Sequence, residues 1–133
     1  MTRLLLGVMM ALVAGATGAA HHSFAAYYFE DQSISIEGTL DVFEYRAPHA
    51  WVYVMAPDGE GRMQRFAAEW ANPTRLRGDG VGRDTLKAGD RVIVTGSPGR
   101  TASEYKMHLK RLQRPADGWE WRGGPRGGGR RRR

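Results

Sequence analysis

The chain has 133 residues and no cysteine, which excludes disulfides, thiolate chemistry and a lipoprotein anchor. Its formal charge of +6 lies mainly towards the two ends, because residues 115–133 hold six arginines against two carboxylates and Arg3 stands near the start. The body between the ends is nearly neutral, which argues against a nucleic-acid-binding face on the folded domain.

The first 20 residues are typical of a secretory signal peptide. Arg3 supplies the positive charge, and the apolar run over residues 4–16 is too short to span a membrane. Gly18 and Ala20 are the small residues that signal peptidase requires. We expect cleavage before His21, with cuts one or two residues earlier as alternatives, and a periplasmic or secreted protein without a transmembrane anchor.

Residues 21–114 predict one β-rich domain. Apolar and polar side chains alternate along several segments, as expected of strands with one buried face. Gly38 interrupts the first of these and suggests a bend or bulge. Asn72 before Pro73 is typical of a helix start, and Gly78 of a helix end. The predicted elements are strands over 33–45, 49–55 and 63–70, a helix over 73–78, and strands over 90–96 and 104–112.

Three strands, a short helix and two more strands are the element order of an OB-fold, a small five-stranded, partly open barrel. The first three strands are predicted to form a meander. An immunoglobulin-like sandwich needs about seven strands, for which the chain has no room. Residues 115–133, rich in glycine and arginine, are predicted to form a disordered tail.

Histidines follow the predicted cleavage site. If His21 becomes the first residue, its α-amine and Nδ1 can chelate one ion, and a second imidazole completes a T-shaped set of nitrogens that suits copper. His49 is the best candidate for that second imidazole. The earlier cuts place His22 or His21 third in the chain, where the imidazole and the backbone nitrogens hold Cu(II) or Ni(II) in a square plane. The sequence therefore predicts a metal site at His21, His22 and His49, with copper as the favoured ion.

Two further polar residues lie in predicted strands. Glu69 is the next candidate ligand or proton acceptor, and an outward-facing charge without a role is its alternative. His108 alternates with Met107 and Leu109 in the fifth strand. We therefore predict that His108 is a solvated position, and it is not among the candidate site residues.

The metal hypothesis depends on whether the N-terminal segment reaches His49. His49 is predicted where the loop between the first two strands meets the second, a place where OB-folds bind ligands. His21 is expected to reach it only if the leading segment runs back antiparallel to the first strand. The aromatic residues that would dock this segment are Phe24, Tyr27, Tyr28 and Phe29.

Two alternatives to a metal-binding module stay open. Arg46, Trp51 and Tyr53, with Trp70 as a further ring, offer a surface on which a metal-free module docks a protein or oligosaccharide partner. A copper-dependent oxidoreductase would use the same nitrogens with an open coordination position. The sequence contains no phosphate loop, nucleophile elbow, metalloprotease helix or paired-carboxylate motif, so no catalytic residue is assigned.

Four segments carry a resemblance to a known family: His21–Phe24, Pro48–Trp51, Glu69–Leu76 and Leu86–Asp90. In these segments the chain resembles DUF6152, a bacterial family of exported domains of unknown function. The resemblance covers roughly residues 21–112, and Ala47 stands where the family pattern has asparagine. It implies export and the extent of the domain, and it implies no reaction.

Overall fold

The computed structural model describes residues 24–124, so the predicted signal peptide, His21 and His22 lie outside the described residues. Two short 3-10 turns, Phe24–Ala26 and Ala102–Glu104, accompany the regular elements. In chain order these elements are β1 (Ile34–Glu44), β2 (Trp51–Pro57), β3 (Met63–Glu69), α1 (Pro73–Gly78), β4 (Arg91–Pro98), β5 (Lys106–Arg114) and β6 (Trp119–Arg122). No helix between residues 24 and 124 is long and apolar enough to cross a membrane.

Five of the strands form a closed barrel. Strands β1, β2 and β3 are an antiparallel meander, as predicted, and β4 pairs with both β1 and β5. A parallel pairing of β3 with β5 joins the two ends of this sheet. With α1 between β3 and β4, the arrangement confirms the predicted OB-like barrel.

The barrel interior is filled by the apolar side of each strand. Alternate residues of β2 and β4 are fully buried, as with Val52 and Val54 or Val92 and Val94. Their neighbours along each strand face outward, because successive side chains point to opposite faces. Trp70, which follows β3, is also fully buried, so it belongs to the core and not to an exposed stacking surface.

Helix α1 begins and ends where the sequence predicts. The side-chain oxygen of Asn72 accepts a hydrogen bond from the backbone amide of Arg75 at 2.8 Å, and Pro73 occupies the first turn. This cap satisfies one of the free amides at the helix start. Leu76 is the buried residue of the helix, and it anchors α1 to the core.

The predicted tail boundary at residue 115 is wrong. Strand β6 pairs antiparallel with β5, and Trp121 is only 2% exposed. Gly118, with a φ of 70°, allows the turn that brings β6 back onto β5. Glycine and arginine dominate the average composition of this segment, whereas its two tryptophans supply the apolar surface that a strand needs. Residues 125–133 lie outside the described part of the chain.

Candidate functional site

His49 is held by a carboxylate on the neighbouring strand. It lies two residues before β2, and its Nδ1 is 2.7 Å from Oε1 of Glu69, the last residue of β3. A carboxylate only accepts hydrogen bonds, so Nδ1 donates and Nε2 is the nitrogen left for a ligand. The second oxygen of Glu69 accepts a hydrogen bond from the hydroxyl of Tyr28. Glu69 therefore fixes the orientation of the His49 ring and is itself tied to the N-terminal segment.

His108, in β5, has a similar environment, and the prediction that it is solvated is wrong. Its side chain is 15% exposed, and its Nδ1 lies 2.7 Å from Oε1 of Glu30. The other oxygen of Glu30 accepts a hydrogen bond from the ammonium of Lys110. The strand alternation correctly places His108 on the outer face of the barrel, but residues 24–30 cover that face.

The environment of this second pair shifts both pKa values downwards. Burial lowers the pKa of the His108 imidazole, which outweighs the opposing effect of Glu30. Burial works to raise the pKa of Glu30, but its hydrogen bonds with Lys110 and His108 outweigh it and leave the pKa below its usual value. Glu30 is thus an anion at neutral pH, and His108 is a neutral ring that donates through Nδ1.

One aromatic ring contacts both histidines. The Phe24 ring stacks on His108, with ring centroids 3.7 Å apart and an interplanar angle of 7°. It also lies against His49, with centroids 5.3 Å apart and an angle of 31°. Phe24 is the first residue that the structure describes, and it follows His21 by three positions. The N-terminal end of the described chain therefore lies directly beside both imidazoles.

The route of this N-terminal segment differs from the expected one. The segment does not run back along β1. Tyr28 instead forms an antiparallel bridge with Gly99, and the amide of Phe29 donates to the carbonyl of Pro98 at 2.9 Å. Because the pairing of β3 with β5 closes the barrel, the end of β4 lies close to Glu69 and hence to His49. Barrel closure, which the alternation along single strands does not reveal, provides the shorter path.

Two cavities meet at this place. A cleft of about 830 Å³ is lined in part by Phe24, His49, Glu69, Trp51 and Arg100. A smaller pocket of about 400 Å³ is lined by Phe24 and by both His49 and His108. His49 therefore borders both spaces, and the two imidazoles share the smaller one.

The other predicted binding residues lie on the barrel exterior. Trp51 and Tyr53 are stacked, with centroids 6.3 Å apart and an interplanar angle of 22°, and the guanidinium of Arg65 lies 4.2 Å from the centroid of the Tyr53 ring. Arg46 is exposed and pairs with Glu44 at 2.7 Å. This surface is separate from the histidine pairs except at Trp51, which also lines the larger cleft.

The hydrogen bonds that His49 and His108 make through Nδ1 are of the kind that metal-binding histidines generally make. In such sites the ring nitrogen that does not bind the metal donates to a carboxylate or carbonyl, which fixes the tautomer and the ring orientation. Within residues 24–124, however, no three histidine, aspartate or glutamate side chains are grouped so that they could hold an ion. A complete site would need donors from outside this range.

Comparison with known families identifies the chain. The model of DUF6152, described as a family of unknown function, matches residues 9–108. The chain belongs to the DUF6152 family. No curated protein matches it. Among solved structures, the mitochondrial single-stranded DNA-binding protein Rim1 of S. cerevisiae is similar, with 13% sequence identity, a TM-score of 0.45, and coverage of 70% of this chain and 96% of that chain.

In this DUF6152 protein, segments far apart in the sequence meet at one site. The resemblance to the family rests in part on the segments that contain Phe24, His49 and Glu69, and these three residues form a continuous series of contacts. The site therefore combines the start of the described chain with the ends of two barrel strands.

The hydrogen bond from Tyr28 to Glu69 offers a test of how firmly the N-terminal segment is attached to this DUF6152 domain. Tyr28 is 2% exposed, and burial together with Glu69 raises the pKa of its phenol well above the usual value, so the hydroxyl stays protonated. We expect Tyr28→Phe to lower the free energy of unfolding by about 1–3 kcal/mol, the usual loss for a hydrogen bond to a charged group. Urea denaturation measures this loss. Tyr27→Phe is the matched control because Tyr27 is 64% exposed, and equal stability of both variants would contradict the prediction.

Proposed function

We propose that this protein is exported, is processed at or near His21, and binds a metal ion, most suitably copper, through His49 and the N-terminal histidines. The observation that carries the proposal is the contact of the Phe24 ring with His49. Consecutive Cα atoms are about 3.8 Å apart, so the Cα of His21 lies within about 11 Å of that of Phe24. The short distance from Phe24 to His49 therefore supports the chain reach that the proposal requires.

The chemistry of the donors favours copper. A free α-amine and Nδ1 of His21 would chelate the ion, and Nε2 of His49 would supply the third nitrogen. His22 serves in place of His21 if the cut falls one residue earlier. A set of amine and imidazole nitrogens suits Cu(II) best among the common divalent metals of the first transition row. Glu69, through its hydrogen bond to Nδ1, would keep the His49 ring in the binding orientation.

The proposal is tested on protein recovered after export. Mass spectrometry fixes its N-terminus, and Cu(II) is then titrated into the metal-free protein in competition with a chromophoric chelator. We expect His21→Ala and His49→Ala each to weaken copper binding by at least about tenfold, since changes outside the ligand set already cost roughly 10–100-fold. In a His22→Ala background, in which no histidine takes the third position, an added alanine before His21 displaces the α-amine and should weaken copper binding in the same assay.

Arg46→Ala is the matched control, because Arg46 is exposed, lies near His49 in the sequence and pairs with Glu44. It should bind copper like the unmodified protein. Unchanged affinity in both histidine variants, with circular dichroism showing that they are folded, would reject the metal-binding proposal.

A metal-free docking module is the second candidate. It is supported by the stacked Trp51 and Tyr53 rings, which lie at the outer surface, and by the cleft of about 830 Å³ that Trp51 borders. A cleft of this size suits a ligand with an apolar body. Under this hypothesis Trp51→Ala abolishes the capture of an oligosaccharide or protein partner, while His21→Ala leaves it unchanged.

A further inference from the structure

We propose that the cleft of about 830 Å³ binds an acidic sugar, a pyranose ring that carries a carboxylate, with Arg100 binding the carboxylate and Trp51 the ring. This site is independent of the copper function proposed above, because neither residue is a copper ligand. It develops the second candidate function, the docking module, and narrows it to one class of ligand.

Arg100 is a cation whose orientation the structure fixes. Its Nε donates to the carbonyl of Ala25 at 2.9 Å, and its guanidinium carbon lies 4.5 Å from the centroid of the Phe29 ring. Its backbone amide donates to the carbonyl of Tyr27, also at 2.9 Å. The two terminal nitrogens form no hydrogen bond with any residue between 24 and 124. A guanidinium held in this way presents a planar edge that suits a carboxylate.

The charge of Arg100 has no partner in the part of the chain that the structure describes. Lys106, which also lines the cleft, pairs with Glu104 at 2.9 Å, whereas Arg100 pairs with no carboxylate among residues 24–124. Residues 1–23, which precede the segment that borders the cleft, contain no aspartate or glutamate. A carboxylate on a ligand is therefore the matching partner, and a neutral ligand would leave the cation unpaired.

Aromatic side chains at the cleft provide a place for the sugar ring. The Trp51 ring stacks on Tyr53, and the Arg65 guanidinium covers the Tyr53 ring at 4.2 Å. This row on the outer face of β2 and β3 holds Trp51 at the edge of the cleft. Tyr27, which also lines the cleft, is 64% exposed. The C–H face of a pyranose is apolar, and rigid aromatic rings offer it contact area at a low cost in conformational entropy.

The remaining polar side chains of the lining favour a sugar over a flat aromatic acid. Glu69 and Glu104 offer carboxylate oxygens, which only accept, while the Thr101 hydroxyl both donates and accepts. A carboxylate has about four lone-pair sites, so Glu69 keeps acceptor capacity beyond its bonds with His49 and Tyr28. Sugar hydroxyls donate and accept, and they satisfy these groups. An aromatic acid without hydroxyls would leave the same groups unpaired.

The test is a binding assay on the metal-free protein recovered after export. An array presents neutral oligosaccharides beside counterparts of the same length in which one sugar is replaced by its uronic acid, and protein concentration is varied to obtain affinities. We expect the acidic forms to bind at least about tenfold more tightly, as for a hydrogen bond to a charged group. Arg100→Gln should abolish this preference and leave the affinity for neutral sugars unchanged, while Trp51→Ala should weaken both. Arg77→Gln is the matched control, because Arg77 is an exposed arginine of α1 that does not line the cleft.

The ratio of acidic to neutral binding separates recognition from folding, since a variant that only destabilises the domain loses both. Equal affinity for acidic and neutral sugars, no binding to any uronic acid on the array, or competition by benzoate as strong as by the free uronic acid overturns the proposal. Copper binding without sugar binding overturns this inference and leaves the copper function standing. Sugar binding without copper binding does the reverse.

Discussion

Gly96→Ala should strongly destabilise the barrel. A Cβ atom added at Gly96 in β4 would lie 2.0 Å from the carbonyl oxygen of His108 and 2.8 Å from its carbonyl carbon. Both are backbone atoms, so no side-chain rotation relieves the clash, and β4 and β5 would have to separate. Overpacking in a core typically costs about 1–3 kcal/mol, and a clash between two backbones belongs at or above the upper end of that range.

The expected loss of about 3 kcal/mol or more is a large part of the stability of a domain of this size, which is roughly 5–15 kcal/mol. It corresponds to a fall in Tm of about 12 °C or more, which thermal denaturation followed by circular dichroism measures. Gly82→Ala is the matched control, because a Cβ at Gly82 meets no atom within 4 Å. Equal melting temperatures for the two variants would show that β4 and β5 are not as close at Gly96 as described.

The strands could be predicted because the alternation of apolar and polar residues that marks a strand is a local feature of the sequence. One face of each strand is buried, so the apolar pattern of residues such as Val92 and Val94 already indicates which side faces the core. The capped start of α1 at Asn72 and Pro73 was predictable for the same reason. Gly38 shows the limit of such local information. Its Cβ would lie 2.1 Å from the carbonyl oxygen of Met55, so the glycine is required by a close approach of β2, while the irregularity in the register lies between Leu40 and Val42.

The candidate site was predictable only in part, because it depends on contacts between distant segments. His49 and Glu69 were each identified as candidates, but the sequence does not show that they are bonded to each other. His108 was assigned to solvent, since alternation places it outside the barrel and cannot show that residues 24–30 cover that face. The pairing of His108 with Glu30 joins residues 78 positions apart, and barrel closure brings them together. In related sequences, the pattern to look for is a histidine on the outer face of the strand that closes the barrel, together with a glutamate in the N-terminal segment that covers this face.

Strand β6 is not predicted for a different reason, namely that the average composition of residues 115–133 conceals it. Residues 115–133 contain many glycines and arginines, but these are concentrated after Arg122, whereas Trp119 and Trp121 lie before it. Two tryptophans at alternate positions are enough to bury one face of a short strand against a neighbour. Residues 119–122 taken alone have the alternating pattern of a strand and are distinct from the basic residues that follow them.

Trp121→Ala should destabilise the domain nearly as much as the replacement of a fully buried core residue by alanine would. The Trp121 side chain is 2% exposed, packs edge-to-face on Trp70 with centroids 5.1 Å apart, and donates from Nε1 to Asp79 at 2.9 Å. Truncation of a buried tryptophan costs about 3–5 kcal/mol, and the loss here includes a hydrogen-bond donor to a carboxylate. Urea denaturation followed by far-ultraviolet circular dichroism measures this change.

Trp119→Ala is the matched control, since Trp119 lies in the same short strand but is only partly buried, beneath the guanidinium of Arg114. We expect it to cost clearly less than Trp121→Ala, because the Trp119 ring packs against the core while only partly buried and makes no hydrogen bond to Asp79. A chain ending at residue 114 should lose at least as much stability as Trp121→Ala, because it lacks all of β6. If the shorter chain were fully stable, β6 would contribute nothing to the core and the domain would end at β5. If it were destabilised as expected, the folded domain would extend through β6.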